Sequence, residues 1–203
     1  MKMRINFKKT KIVPFNFSHK LDFLPKISFP YSEPLEVIHQ TRLLGVTITS
    51  NLSWAPHVND ICARATKELW VLIRFKSLGG TRSQLLKVYQ TCVRTTLEFA
   101  SVVFHSGLTI DQSHQIEHVQ KKAFAIILAE QYNSYEHTLI ILNQERLDAK
   151  RLQLCIKFAI KCSKSSKHSQ MLPHNQYCRD NMRNPKPFKE YQCATSRYHS
   201  SPT

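Results

Sequence analysis

The sequence predicts a mainly α protein: a helical bundle preceded by a small, incomplete β-hairpin region and followed by a disordered basic tail. Three observations carry that expectation. Apolar residues recur every three or four positions across residues 51–162, the signature of helices with one buried face. Residues 1–50 hold short β-prone pieces broken by Pro14, Pro25, Pro30 and Pro34. Residues 163–203 lose periodicity and are dominated by Ser, Lys, His, Asn and Pro. With 203 residues and 42% hydrophobic content, the chain is long and apolar enough for one domain with tails, and wholesale disorder is excluded.

The β-prone pieces are Lys11–Phe17, Ile27–Tyr31, Leu35–Ile38 and Leu43–Thr49. Proline removes a ladder donor, so these strands belong at edges, in hairpins or in loops. The first helix runs from about Ala55 to Lys76. Val58, Ile61, Cys62, Ala65, Leu69, Leu72 and Ile73 form its stripe, Pro56 suits its first turn, and Gly79-Gly80 ends it. Thr81 with Gln84 reads as a capping box opening a second helix to about Val103. Gly107 breaks that helix. Thr109 with Gln112 repeats the capping signal before a third helix built on Ile116, Val119, Ala123, Phe124 and Ile127. A short helix is expected near Ser134–Leu142, and a last one over about Gln144–Cys162. The domain organisation read from these textures is 1–50, 51–162 and 163–203.

Charge is one-sided. Lys and Arg number 29 against 14 Asp and Glu, a formal net charge of +15 spread over all three zones. Lys8, Lys9 and Lys11 cluster near the N-terminus. Arg64, Lys67, Arg74 and Lys76 are assigned to the polar face of the first helix, and Lys121 and Lys122 to that of the third. Such a balance points to a polyanionic partner. The longest apolar run, Ala123 to Ala129, is far short of the ~20 residues that span a bilayer. The N-terminus lacks the apolar core of ~7–15 residues that export requires. An intracellular setting with free thiols is therefore expected, in nucleus or cytoplasm, without membrane contact.

Catalytic machinery is not expected. The five aspartates, Asp22, Asp60, Asp111, Asp148 and Asp180, are isolated in sequence, whereas two-metal phosphoryl transfer needs clustered carboxylates. No phosphate-binding glycine loop or nucleophile elbow occurs. Cys155, Cys162, His174 and Cys178 contain one usable zinc spacing, His174-x-x-x-Cys178, but the other half is not a standard knuckle. No metal or cofactor is predicted. His57, His105, His114 and His118 read as surface or helix-flanking residues. Trp54 and Trp70 read as staple and core residues rather than base-stacking ones, and Tyr89, Phe99 and Phe104 as bundle residues.

One run is more specific. Leu43-Leu44-Gly45-Val46-Thr47-Ile48-Thr49-Ser50-Asn51-Leu52-Ser53-Trp54, with His57-Val58 and Ile61-Cys62 after it, resembles the segment following the polymerase palm in jockey-like reverse transcriptases of non-long-terminal-repeat retrotransposons. Val93-Arg94 with Leu97-Glu98-Phe99-Ala100 is similar to a "VR-x-x-LEYA" helix of that family. Ile116-Glu117, Val119-Gln120 and Ala123 are similar to its "IE-x-VQ-x-x-A" helix. Asn6 to Lys11 resembles its "N-x-x-KTK" turn, and Thr195 to Pro202 its "T-x-R-[FY]-x-x-S-P" tail.

The resemblance implies roles. Lys9 and Lys11 match a lysine-bearing polymerase motif. Leu44, Gly45 and Val46 match the primer-grip hairpin, where a residue without a Cβ lets nucleic-acid backbone approach. The helices from Ala55 match the thumb and connection region, so the first zone becomes a palm remnant. The family's catalytic aspartates would precede Met1, and relatives continue past Thr203. The chain is thus expected to be a non-catalytic C-terminal fragment of an RNA-directed DNA polymerase that contacts template–primer nucleic acid through Lys9, Lys11, Leu44, Gly45, Val46, Arg64, Lys67, Lys121 and Lys122. The alternatives are a domesticated helical protein-interaction module, or a remnant without function.

Overall fold

The computed structural model describes Asn6 and residues 9–15, 35–165 and 167–168. Packing divides the chain into two compact units, Met1–Ile61 and Cys62–Thr203. The mainly α architecture is as expected, with short strands preceding a series of helices.

In the first unit, β1 (Lys11–Ile12) pairs parallel with β2 (Glu36–Val37). A second pair, β3 (Gln40–Leu43) and β4 (Val46–Thr49), is an antiparallel hairpin with Leu43 opposite Val46. Its loop is Leu44-Gly45, with φ of 48° and 87°. Positive φ at both loop positions is the turn whose twist matches a two-residue hairpin. Gly45 takes that conformation without strain, whereas Leu44 does not. Strand β3 is absent from the sequence expectation because Gln40, Thr41 and Arg42 are polar and the strand is largely exposed, leaving no alternation to detect. Helix α1 (Ala55–Ser77) begins here. His57 is buried, and its Nδ1 accepts the Thr47 main-chain N–H at 3.3 Å. That contact ties β4 to the first turn of α1. Of the two readings of His57, surface or helix-flanking, the structure gives a buried residue in the first turn of the helix.

In the second unit, the rest of α1 is followed by α2 (Arg82–Val88), a π-helical turn (Tyr89–Arg94), α3 (Thr95–Glu98), α4 (Ser101–Phe104), α5 (Ile110–Leu128), α6 (Tyr135–Ile141) and α7 (Leu147–Ser163). Both expected capping boxes form, Thr81 with Gln84 and Thr109 with Gln112. Ser134 caps α6 by accepting the His137 N–H. At the end of α1, Gly79 (φ 83°) and Gly80 return their N–H groups to the Lys76 and Phe75 carbonyls at 3.0 and 3.1 Å, a Schellman closure. Helix α5 is central, packing on α2, α6 and α7. Leu72, Leu85, Tyr89, Val93, Leu97, Phe104, Ile116, Phe124 and Leu147 are essentially buried. Each large apolar side chain so placed contributes about 1.5–3 kcal/mol.

The second helix differs from its expected course. The stretch read as one helix from Arg82 to Val103 is interrupted twice. Thr91 Oγ1 donates to the Lys87 carbonyl at 2.9 Å and Thr95 Oγ1 to the Thr91 carbonyl at 2.7 Å. Such back-bonding competes with the regular ladder, and here it accompanies the π turn. Ala100, at φ 55°, then ends α3 in a left-handed conformation. Trp70, Ile73 and Phe99 are exposed rather than core. Residues 27–31, His174, Cys178 and the tail beyond His168 lie outside the described residues.

Candidate nucleic-acid interface

The hairpin loop of the first unit presents Leu43 and Leu44 outward. Leu44 is 89% exposed, and its positive φ has no steric compensation from a missing Cβ. Leu44 is thus a bulky apolar residue in a left-handed turn position and open to solvent. Val46 is buried, so its side chain is not presented to solvent beside Leu44. Lys9 is exposed. The Lys11 Nζ sits 2.8 Å from the Glu36 carboxylate, with both groups well exposed, an ion pair that salt screens and that yields easily.

In the second unit, α1 divides cleanly by face. Ala65, Leu69 and Leu72 are buried. At 100° per residue the opposite line runs through Lys67, Trp70, Val71 and Arg74, all exposed. Trp70 is 62% exposed, and the Arg74 guanidinium lies 5.5 Å from its ring centroid. Glu68 is the one acidic residue between Cys62 and Ser77. It turns away, accepting the Thr96 hydroxyl at 2.9 Å. Arg64 is half-buried beside this line. Lys76 reaches the Ile126 carbonyl at the start of the last turn of α5, so it closes the bundle rather than the polar face.

Lys121 and Lys122 stand exposed on α5. The Lys121 ammonium is 4.9 Å from the Tyr135 ring centroid, a cation–π contact that steers it along the surface. Beneath it lies a buried polar network. Tyr89 Oη donates to Gln120 Oε1. Gln120 Nε2 donates to Tyr135 Oη at 2.7 Å and to the Glu145 carbonyl at 3.0 Å. Tyr135 Oη donates to Glu117 Oε1, which also accepts the Leu147 N–H at 3.2 Å. Glu117 thereby caps α7, whose own N-cap residue Arg146 makes no side-chain cap. A carboxylate there also meets the positive end of the helix dipole.

Arg151, fully buried, donates to Ser113 Oγ at 2.8 Å. Burial lowers its pKa, while the charges of Glu117, Asp148 and Glu98 act against that. Burial pushes the Cys62 thiol up to about 11, with Arg151 opposing, and raises Cys155 in the same way. These thiols are poor nucleophiles at neutral pH. Arg94 Nε bonds Glu98 at 2.6 Å and its Nη1 bonds Gln144 at 3.0 Å.

No family model, curated protein or solved structure matches this chain.

Among the described residues, no group of three or more His, Cys, Asp and Glu side chains could hold a metal ion, and no helix is long and apolar enough to cross a membrane. Leu44, Gly45 and Val46 form one turn of the first unit. Lys67, Lys121 and Lys122 present charge on the second. Trp70 is exposed, which corrects its reading as a core residue. Its three- and four-residue spacing from Lys67 and Arg74 was the available signal, since it shares their face rather than that of Leu69 and Leu72.

The polar residues of the motif-like stretches have structural posts. His57 ties β4 to α1. Arg94 pairs with Glu98, and Glu117 and Gln120 hold the buried network.

Proposed function

We propose that this chain is the primer-grip and thumb portion of a retrotransposon-type reverse transcriptase, non-catalytic by itself, that holds template–primer nucleic acid. The resemblance of Leu43–Trp54 and the later motif-like stretches supports the family part of the reading, and the exposed, one-signed face of α1 through Lys67 and Arg74, set against a net charge of +15, supports its nucleic-acid part. The strained, solvent-facing Leu44-Gly45 turn supports it as a grip element. Phosphate contacts of this kind release counterions, so log Kd varies linearly with log salt. With a primer–template duplex, the affinity of the full chain falls steeply between low and moderate salt. Replacing Lys67 or Lys122 by Gln reduces the salt slope by about one each. A flat salt dependence overturns the reading, and deoxynucleotide incorporation by the purified chain with Mg²⁺ overturns its non-catalytic part.

A second reading has its own observation. On α7, Ile156 and Ile160, one turn apart on one face, are each about half exposed, which suits a helical module that binds protein. A chain with no affinity for duplex at low salt and an apolar face protected by a protein partner favours that reading.

A further inference from the structure

Resting on the nucleic-acid reading above, we propose that Trp70 is a stacking platform for an unpaired base, so that the α1 face takes single-stranded nucleic acid as well as duplex. Three observations converge on it. The indole is 62% exposed on a helix whose core face is already complete in Ala65, Leu69 and Leu72, so packing of this unit does not require it. The Arg74 guanidinium lies 5.5 Å from the ring centroid, which backs the indole with a cation and leaves most of its surface to solvent. Lys67 stands one turn before the ring and Arg74 one turn after.

The face matches one ligand chemistry. A nucleobase stacks on an aromatic plane irrespective of sequence, and arginine adds a cation–π contribution. The phosphates on either side of that base meet Lys67 and Arg74. Duplex DNA hides its base faces inside the stack, so the indole offers duplex nothing comparable. Glu68, which would repel the backbone, is drawn off to Thr96.

The experiment compares the full chain with its Trp70→Ala variant on three probes: short oligo-deoxythymidine, a blunt duplex of random sequence, and heparin. Intrinsic fluorescence and affinity are both read. Oligo-deoxythymidine is expected to quench the emission of the parent chain, and Trp70→Ala to lose that component and bind the oligonucleotide roughly tenfold more weakly. Affinity for duplex and heparin changes less than twofold. Trp70→Phe keeps a π face and recovers part of the affinity. Equal affinity of parent and Trp70→Ala for the oligonucleotide, with duplex binding intact, overturns the stacking proposal alone. An equal loss on heparin also overturns it, because the ring is then serving any polyanion. Failure of both nucleic-acid probes at low salt overturns the nucleic-acid reading and this proposal together. Far-UV circular dichroism of the variant matches the parent, since the side chain is exposed.

Discussion

Glu117 and Arg151 occupy the interior of the second unit as charged residues, and their energetics depend on each other. The Glu117 field opposes the loss of the Arg151 proton, and its carboxylate also holds Tyr135 and the first N–H of α7. Removing one member of such a set leaves an uncompensated buried charge, which typically costs 3–5 kcal/mol. Glu117→Ala is therefore expected to destabilise the chain by about that amount in urea titration, and Arg151→Met in the same background to recover a substantial part. A Glu117→Ala chain as stable as the parent would show that the network contributes nothing.

His105 gives a second test on a single group. Burial holds its pKa below the ordinary 6.5, Arg151 adds to that and Asp148 opposes. A histidine depressed in the folded state is protonated more readily when unfolded. Its stabilising contribution is complete above about pH 6.5 and is lost as pH falls toward its folded value. Melting temperature should thus drop between pH 7 and pH 5, and His105→Gln should flatten that part of the profile. Asp148, held below the ordinary carboxylate range by its hydrogen bond to Arg146, loses its share only in stronger acid, below about pH 4.

Among the elements, the β3–β4 hairpin carries an avoidable strain. A leucine in the left-handed region costs about 1–2 kcal/mol, and asparagine is favoured at that position of the turn. Leu44→Asn is expected to stabilise the first unit by about 1 kcal/mol in thermal or urea unfolding. If Leu44 is a grip residue, the same change weakens primer–template binding while stability rises. An opposite movement of stability and affinity separates a contact role from a folding role, and a parallel gain in both removes Leu44 from the interface.

Element types were largely legible in advance, for a local reason. The two capping boxes, the Gly79-Gly80 stop and the α5 stripe are read from neighbours in the chain, and each formed as read. Strand β3 was not legible, because an exposed two-stranded ribbon has no buried face to impose alternation on Gln40, Thr41 and Arg42. The break at Ala100 was not legible either, since alanine is a strong helix former and left-handed only under tertiary constraint.

For the molecule as a whole, composition and periodicity were enough to establish a mainly helical chain with an excess of positive charge, since both follow from residue counts and from spacing along one strand of sequence. The exposure of Trp70 follows from its place on α1, whereas the position of Glu117 followed from contacts across the fold. Trp70 sits one residue past Leu69, and an adjacent position on a helix is rotated by 100°, enough to move an indole from core to solvent. Glu117 sits on the apolar side of α5 because Tyr135 from α6 and the Leu147 N–H from α7 meet it there, partners 18 and 30 residues away. Local pattern specifies which face an element has; which polar groups meet beneath it depends on partners brought together by packing.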